Sequence, residues 1–353
     1  MAGRGQALRG DGILDARMPN LSDVLAALLE TELPPPLPSS RDLLGACAAG
    51  AVTVERSSSR LIFSYTPAGA RASRWRHVTR YARGLIIDTN SLGGAAVAGR
   101  PLQAFIDVEE GEPLPDIEGE PEVTKKLDGS LVIGYWANGA VRFSGRTSFT
   151  SLPARIANEI WGERHRPVPE NLTVICEVEA PELRTIIPSN GRCLTVIAGI
   201  DRFTGKDLSY ADTEQLASQL GLPVVPLVPW PGALDSLWTR IKNEGPVSEG
   251  FVLRWADGTR ARLVHPDYGP LYDLVVAQDE RLISMVWLER RDVRRLIDRL
   301  PTDAVARVLP TLDRLDRLSK QLEQRGHTRE DAVLVTQAAQ RRIRRTGSFP
   351  KDV

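Results

Sequence analysis

The sequence predicts an α+β protein: a mixed, mainly antiparallel β core flanked by helices, followed by a C-terminal all-helical domain. Three observations predict it. Asn138-Gly139 and Asp257-Gly258 each join two β-rich runs and read as hairpin turns. Segments of helical spacing are interspersed among those runs. Beyond Tyr268 the texture changes, and Leu296, Leu300, Val305, Val308, Leu312, Leu315, Leu318 and Leu322 recur at intervals suited to helices. The expected organisation is an N-terminal extension over residues 1–40, partly disordered, a body over 41–277 and a helical domain over 278–353.

The 353 residues suffice for one large and one smaller core. Lys plus Arg and Asp plus Glu both number 45, so the chain has no net charge, which argues against a general polyanion-coating protein. The charge is uneven. From Arg281 onward 17 basic residues face 10 acidic ones, a mild pointer to a nucleic-acid or phosphate partner. Cys47, Cys176 and Cys193 form no CxxC pair, and with four histidines there is no zinc spacing. Sparse cysteines, no signal peptide and no membrane-length apolar run lead to the expectation of a cytoplasmic protein without a membrane partner.

Along the chain, the Gly- and Arg-rich stretch from Met1 to Met18 reads as disordered. Ser22 can cap a short helix through Val24, Leu25, Leu28 and Leu29, which Pro34-Pro35-Pro36 ends. Leu61 to Tyr65 and Gly84 to Asp88 are strands. A proline-bearing acidic loop then leads to Lys126, presented at the lip of a sheet. Leu131 to Trp136 and Val141 to Ser144 form the first hairpin, followed by a helix through Leu152, Ile156, Ile160 and Trp161. Strands Leu172 to Ala180 and Cys193 to Ile200 come next, then a helix around Thr213 to Leu220. After a proline-rich crossing and a short amphipathic helix, Val247 to Trp255 and Thr259 to Val264 form the second hairpin. Trp75, Trp136, Trp161 and Trp255 read as core aromatics, and the arginines of the last helix, Arg341, Arg342, Arg344 and Arg345, as a solvated face.

The chemistry centres on Lys126-Leu127-Asp128-Gly129. Alone this pattern is weak, because Lys-Asp pairs in turns are common. Around it the β elements supply two strand carboxylates, Glu177 and Glu249, and the arginines Arg83, Arg146, Arg184, Arg254 and Arg262. There is no serine elbow with a paired histidine and no His/Asp cluster for metal hydrolysis. Lysine, carboxylates and arginines suit attack on phosphorus. A free lysine, with a pKa of about 10.4, is protonated at neutral pH, and burial and nearby cations favour the nucleophilic amine. Attack on the α-phosphate of a nucleoside triphosphate would release pyrophosphate, with arginines and Mg²⁺ neutralising the phosphate oxygens. Glu177 and Glu249 are the natural metal holders. Arg254 and Arg262 could equally form cross-hairpin pairs with Asp257 or Glu249.

Lys126-Leu127-Asp128-Gly129, Glu177-Val178 and Glu249-Gly250-Phe251-Val252-Leu253-Arg254, in that order, resemble motifs I, III and IV of the covalent nucleotidyltransferases. These comprise ATP-dependent DNA ligases, RNA ligases and mRNA capping enzymes. Phe63-Ser64-Tyr65, Arg83-Gly84-Leu85, Arg146-Thr147-Ser148-Phe149 and Pro181 to Ile187 resemble the T-even phage type-one RNA ligases, a tRNA-repair type, over about Leu61 to Leu274. The resemblance implies the nucleotidyltransferase fold and an ATP-dependent ligase that joins RNA 3′-hydroxyl and 5′-phosphate ends, through lysyl-AMP and RNA-adenylate, with Mg²⁺ or Mn²⁺. It implies that Lys126 takes the AMP, that Asp128 and Gly129 shape the loop and bind the ribose region, and that Arg83 and Arg146 contact phosphate or ribose. Glu177 and Glu249 would serve metal, ribose and leaving group, and Tyr65, Lys125, Arg184, Arg254 and Arg262 would join the nucleotide site. The substrate would be RNA, with tRNA the phage precedent, and a partner enzyme would heal damaged ends.

Two positions depart from the family pattern. Val264 and Ala104 stand where lysines facing the triphosphate are expected, so Arg100 or His265 would have to supply the charge. The competing readings are a degenerate ligase that binds nucleotide or RNA ends, and a nucleotidyltransferase with a non-RNA acceptor.

Overall fold

The structure is a computed structural model. It describes residues 21–346 apart from 73, 75, 91–95, 112, 115, 163–165, 184–185, 188, 190, 245–247, 277–279 and 291. Met1 to Met18, Trp75, Arg184 and the side chains of the four arginines of the last helix lie outside the described residues, as does Val247 at the expected start of its strand.

Three sheets carry the body. In the first, β1 (Val52–Ser57), β2 (Arg60–Tyr65), β3 (Arg83–Asp88) and β4 (Ala96–Gly99) lie side by side in chain order, all antiparallel. Its outer face is covered by α1 (Leu21–Leu29), α2 (Ser40–Ala48) and, after the five-residue α3 (Pro67–Arg71), the short α4 (Arg76–Tyr81). Val24 and Leu28 of α1 are buried there with Phe63 and Leu85. Part of the expected N-terminal extension is therefore packed into the core of this sheet.

The second sheet has the order β10-β9-β7-β8, from β7 (Ser130–Ala137), β8 (Ala140–Ser144), β9 (Leu172–Glu179) and β10 (Cys193–Asp201). Asn138 and Gly139 turn its hairpin with positive φ at both residues (53° and 78°), the backbone that two-residue hairpins require. Val132, Val174, Cys176 and Val196 point outward under α5 (Leu152–Gly162) and α6 (Tyr210–Leu220). Helix α6 is bounded by Ser209, whose hydroxyl accepts from Asp212 N, and by Gly221 in the left-handed conformation.

The third sheet has the order β11-β6-β12-β13-β5. It contains β6 (Glu122–Lys126), the hairpin β12 (Gly250–Arg254) and β13 (Arg260–Val264), and two edge strands of two residues each, β5 (Ile106–Asp107) and β11 (Leu227–Val228). Only β5 runs parallel to its neighbour. Val123, Phe251, Leu253 and Leu263 pack outward against Leu237, Trp238 and Ile241 of α7 (Leu234–Glu244), each buried side chain contributing roughly 1.5–3 kcal/mol. Trp255 is core, as expected, while Trp136 and Trp161 pack partly buried at the edge of theirs.

The remaining helices are α8 (Tyr268–Val276), α9 (Glu280–Glu289), a 3₁₀ helix (Val293–Arg299), α10 (Thr302–Glu323) and α11 (Arg329–Thr346). The apolar run from Leu296 to Leu322 is split at Pro301, which precedes α10. These helices share one core, which also takes in Ile186 from the segment after β9. Among the described residues no helix is long and apolar enough to cross a membrane.

Candidate active site

The second and third sheets face each other across a cleft of about 750 Å³. Alternation along β6 puts Thr124 and Lys126 on its inner face and Val123 and Lys125 on the outer one. Register then sets three cross-strand rows on the inner face. Lys126 lies beside Gly250 and Val264, Thr124 beside Val252, Arg262 and Asp107, and Glu122 beside Arg254 and Arg260. On the facing sheet Glu177 sits on β9 between Leu131 and Thr195.

Two glycines allow the close approaches. A Cβ on Gly129 would lie 2.6 Å from the Val178 carbonyl oxygen, so only glycine lets the turn after Lys126 run against β9. Gly250 has φ +146°, and a Cβ there would be 1.9 Å from the Leu263 carbonyl oxygen. That backbone delivers the preceding residue, Glu249, to Lys126.

Lys126 Nζ stands 2.6 Å from Glu249 Oε1. Glu177 lines the same cleft, as do Arg83, Asp128, Gly129, Arg146 and Arg262. Burial raises the Glu177 carboxyl to about 8; Lys126 opposes the shift, and Glu249, Glu179 and Asp128 add to it. Burial also raises Glu249, against the pull of Lys126. Arg83 is held below its usual value chiefly by burial, and also by Arg146 and Arg262. Its buried Nε has no acceptor among the described residues. Neither Arg83 nor Arg146 has a carboxylate partner among the described residues. Both lie over the Tyr65 ring, at 5.6 and 5.9 Å from its centroid, so Tyr65 supports the arginine pair from behind.

Asp128 is buried, and its carboxylate is committed to the protein. Oδ2 accepts from the Ile186 and Ile187 amides at 2.7 and 2.6 Å, and Oδ1 accepts from the Tyr268 hydroxyl at 2.6 Å. It ties the turn after Lys126 to the segment after β9 and to α8, and both of its oxygens accept from these donors. Burial first, then the nearby Glu249 carboxylate and the bond to the Asp128 carboxylate, hold the Tyr268 phenol well above its usual range.

Several expectations are corrected. Lys125 borders the cleft, but its ammonium turns to the other face, pairing with Glu244 of α7 over the Phe251 ring. Strand alternation forbids neighbours such as Lys125 and Lys126 from sharing a face. Arg254 is on the inner face but at the far end, bound by Asp207 and Glu122 rather than by Asp257 or Glu249. Arg262 pairs with Asp107, its neighbour in register. Arg100 is buried and donates to main-chain carbonyls at Arg202 and Phe203, and the His265 ring accepts from the Asp267 amide. Neither lines the cleft, so neither replaces the lysines missing at Ala104 and Val264.

Sequence reading missed the apolar end of the cleft. Ile197 is the extra residue of a bulge in β10, between Val196 and Ala198, and it lines the cleft with Val225, Val252 and Leu131. An interruption of alternation at 196–198 is the only local trace of it. Asp107 was missed because its role depends on a two-residue parallel pairing. For a divalent ion, Glu177 and Glu249 form a pair, and no cluster of three or more candidate ligands occurs among the described residues. Such a pair fits Mg²⁺, which is commonly held by one or two carboxylates together with substrate phosphates.

A lysine at the mouth of two facing, mainly antiparallel sheets, followed by a helical module, is the nucleotidyltransferase fold of the ATP-dependent ligases. An archaeal ATP-dependent RNA ligase shares it, with a TM-score of 0.52 and 14% identity over 79% of this chain and 80% of that one. A putative ATP-dependent DNA ligase from Aquifex aeolicus aligns over 88% of this chain and 82% of its own at 14% identity and TM-score 0.48. Naegleria gruberi RNA ligase with PPi aligns over 42% of this chain and 50% of its own, at 20% identity and TM-score 0.34. No protein-family model and no curated protein sequence matches the chain.

Proposed function

We propose that the protein is an ATP-dependent RNA ligase of the covalent type, related to the phage type-one enzymes, with Lys126 as the residue that takes AMP. One observation carries this reading. Lys126 stands 2.6 Å from a buried carboxylate, in a cleft it shares with Glu177 and with two arginines that lack carboxylate partners among the described residues. An enzyme that stabilises charge only when phosphate arrives keeps such cations unpaired until then.

The base lies against Ile197, Val225 and Val252, and the phosphates reach toward Arg83, Arg146 and Arg262. The Lys126 amine attacks the α-phosphorus. The N–P bond forms, the bond to pyrophosphate breaks, and Glu249 is in reach of the proton released by Nζ. A divalent ion held by Glu177 and Glu249 with the phosphates would supply further neutralisation of the oxygens. AMP then passes to an RNA 5′-phosphate, and a 3′-hydroxyl displaces it. Repair of cleaved tRNA is the biological setting to which the phage resemblance leads.

The absence of Arg100 and His265 from the cleft favours a second reading, a nucleotide- or RNA-end-binding relative that does not adenylylate itself. Incubation with α-labelled ATP and Mg²⁺ or Mn²⁺ separates the two. The ligase reading expects label on the denatured wild-type chain and none on Lys126→Ala. A blank wild type, first stripped with pyrophosphate and tried with all four nucleoside triphosphates, would support the binding relative.

A further inference from the structure

Three directions lead away from Lys126. Along β6 toward Glu122 lies the apolar end at Val252 and Ile197, and across the sheet lie the arginines. The third passes through the turn at Asp128 to α8, whose first residues form a wall that a mononucleotide lying along the other two directions leaves free. Tyr268 and Tyr272 stand there one helical turn apart, rings near parallel at 15° with centroids 6.5 Å apart. Tyr268 is fixed relative to Lys126 by its 2.6 Å bond to Asp128. Tyr272 extends that stack into the cleft and is 45% exposed. Beside it, Gly269 also lines the cleft, and a Cβ there would meet nothing within 4 Å, so there is open space along the helix at the ring.

A large aromatic left half bare inside a charged cleft, and backed by a second ring, has the form of a stacking platform for a flat ligand. Resting on the ligase reading above, we infer that Tyr272 stacks the terminal base of the 5′-phosphorylated RNA strand that receives AMP. The base sits on the α8 side of Lys126 while its 5′-phosphate turns inward to the lysine. Stacking depends on the ring and not on the hydroxyl, so it tolerates any of the four bases.

The test uses the full-length chain and a 5′-phosphorylated oligoribonucleotide with 2-aminopurine as its first base, whose fluorescence falls on stacking. Wild type, Tyr272→Phe and Tyr272→Trp should quench the probe. Tyr272→Ala should leave it bright and bind about tenfold or more weakly, with an unchanged melting temperature showing that α8 still folds. An unquenched probe on wild type, equal quenching by Tyr272→Ala, or a loss in Tyr272→Phe as large as in the alanine variant would each overturn the inference. Wild-type labelling by α-labelled ATP is measured alongside. Label without quenching sinks only the platform, whereas neither label nor RNA binding sinks the ligase reading and the platform with it.

Discussion

Two charge clusters lie at opposite ends of β6, and they behave in opposite ways. At the Glu122 end, Arg254 and Arg260 both close on Asp207, and Arg254 also on Glu122, in a largely buried network. At the Lys126 end, among the described residues, the lysine pairs with Glu249, and the neighbouring Arg83 and Arg146 have no carboxylate partner. The first cluster has spent its cations on internal bonds, and the second leaves its arginines without carboxylate partners among the described residues, as the ligase reading requires. Proximity of arginines to a motif therefore does not define a site. The state of their partners does.

Substitutions can break this contrast. Lys126→Ala should abolish covalent labelling by α-labelled ATP, a loss of several orders of magnitude, with little change in melting temperature. Asp207→Asn should do the reverse, because it leaves two buried guanidiniums poorly compensated. A loss of about 3 kcal/mol in a denaturant titration is expected, with label still forming in the folded fraction. If Asp207→Asn removed label at unchanged stability, the Glu122 end would belong to the active site. Asp128→Ala lies between the two, since it deprives two amides and the Tyr268 hydroxyl of their acceptor. It should cost on the order of 3 kcal/mol and also reduce labelling.

The smaller tests sharpen the contrast. The folded Glu177 carboxyl keeps its proton up to about pH 8, whereas an unfolded one releases it near 4.5. The folded state therefore binds more protons in that window, and the stability of the nucleotide-free protein falls as pH rises through it. Glu177→Gln should flatten the fall and melt higher than wild type at pH 8, by on the order of 1 kcal/mol or more. Equal slopes in thermal melts from pH 5 to 8 would count against a strained carboxyl there. Asp107→Asn should change stability by less than about 1 kcal/mol, because its pair with Arg262 is exposed, while freeing that arginine and tightening pyrophosphate binding in calorimetry.

What could be read in the sequence was whatever local spacing determines. Asn138-Gly139 and Asp257-Gly258 set the hairpins, and the order Lys126, Glu177, Glu249, Arg262 placed four residues that do line one cleft. What could not be read depends on partners distant in the chain. Lys125 and Lys126 differ only in which face of β6 they occupy, and α7, a hundred residues on, settles which face is covered. Strands β5 and β11 have two residues each and exist only because β13 and β6 offer them an edge. Strand β1 was missed because four of its six residues, Thr53, Glu55, Arg56 and Ser57, are charged or hydroxylic, and it gains its place by pairing with β2. Tyr272 was passed over because an exposed tyrosine in helical texture looks like surface until Asp128 ties α8 to the cleft.

The bond from Asp128 to Tyr268 spans 140 residues. During synthesis the lysine of β6 emerges long before the tyrosine that completes its neighbouring turn. A ribosome that has made the whole of both facing sheets has still not finished the site, because its last fixed point opens the helical module. On the ligase reading, chains stalled before Tyr268 should take up no label from α-labelled ATP, while chains extended through α10 should.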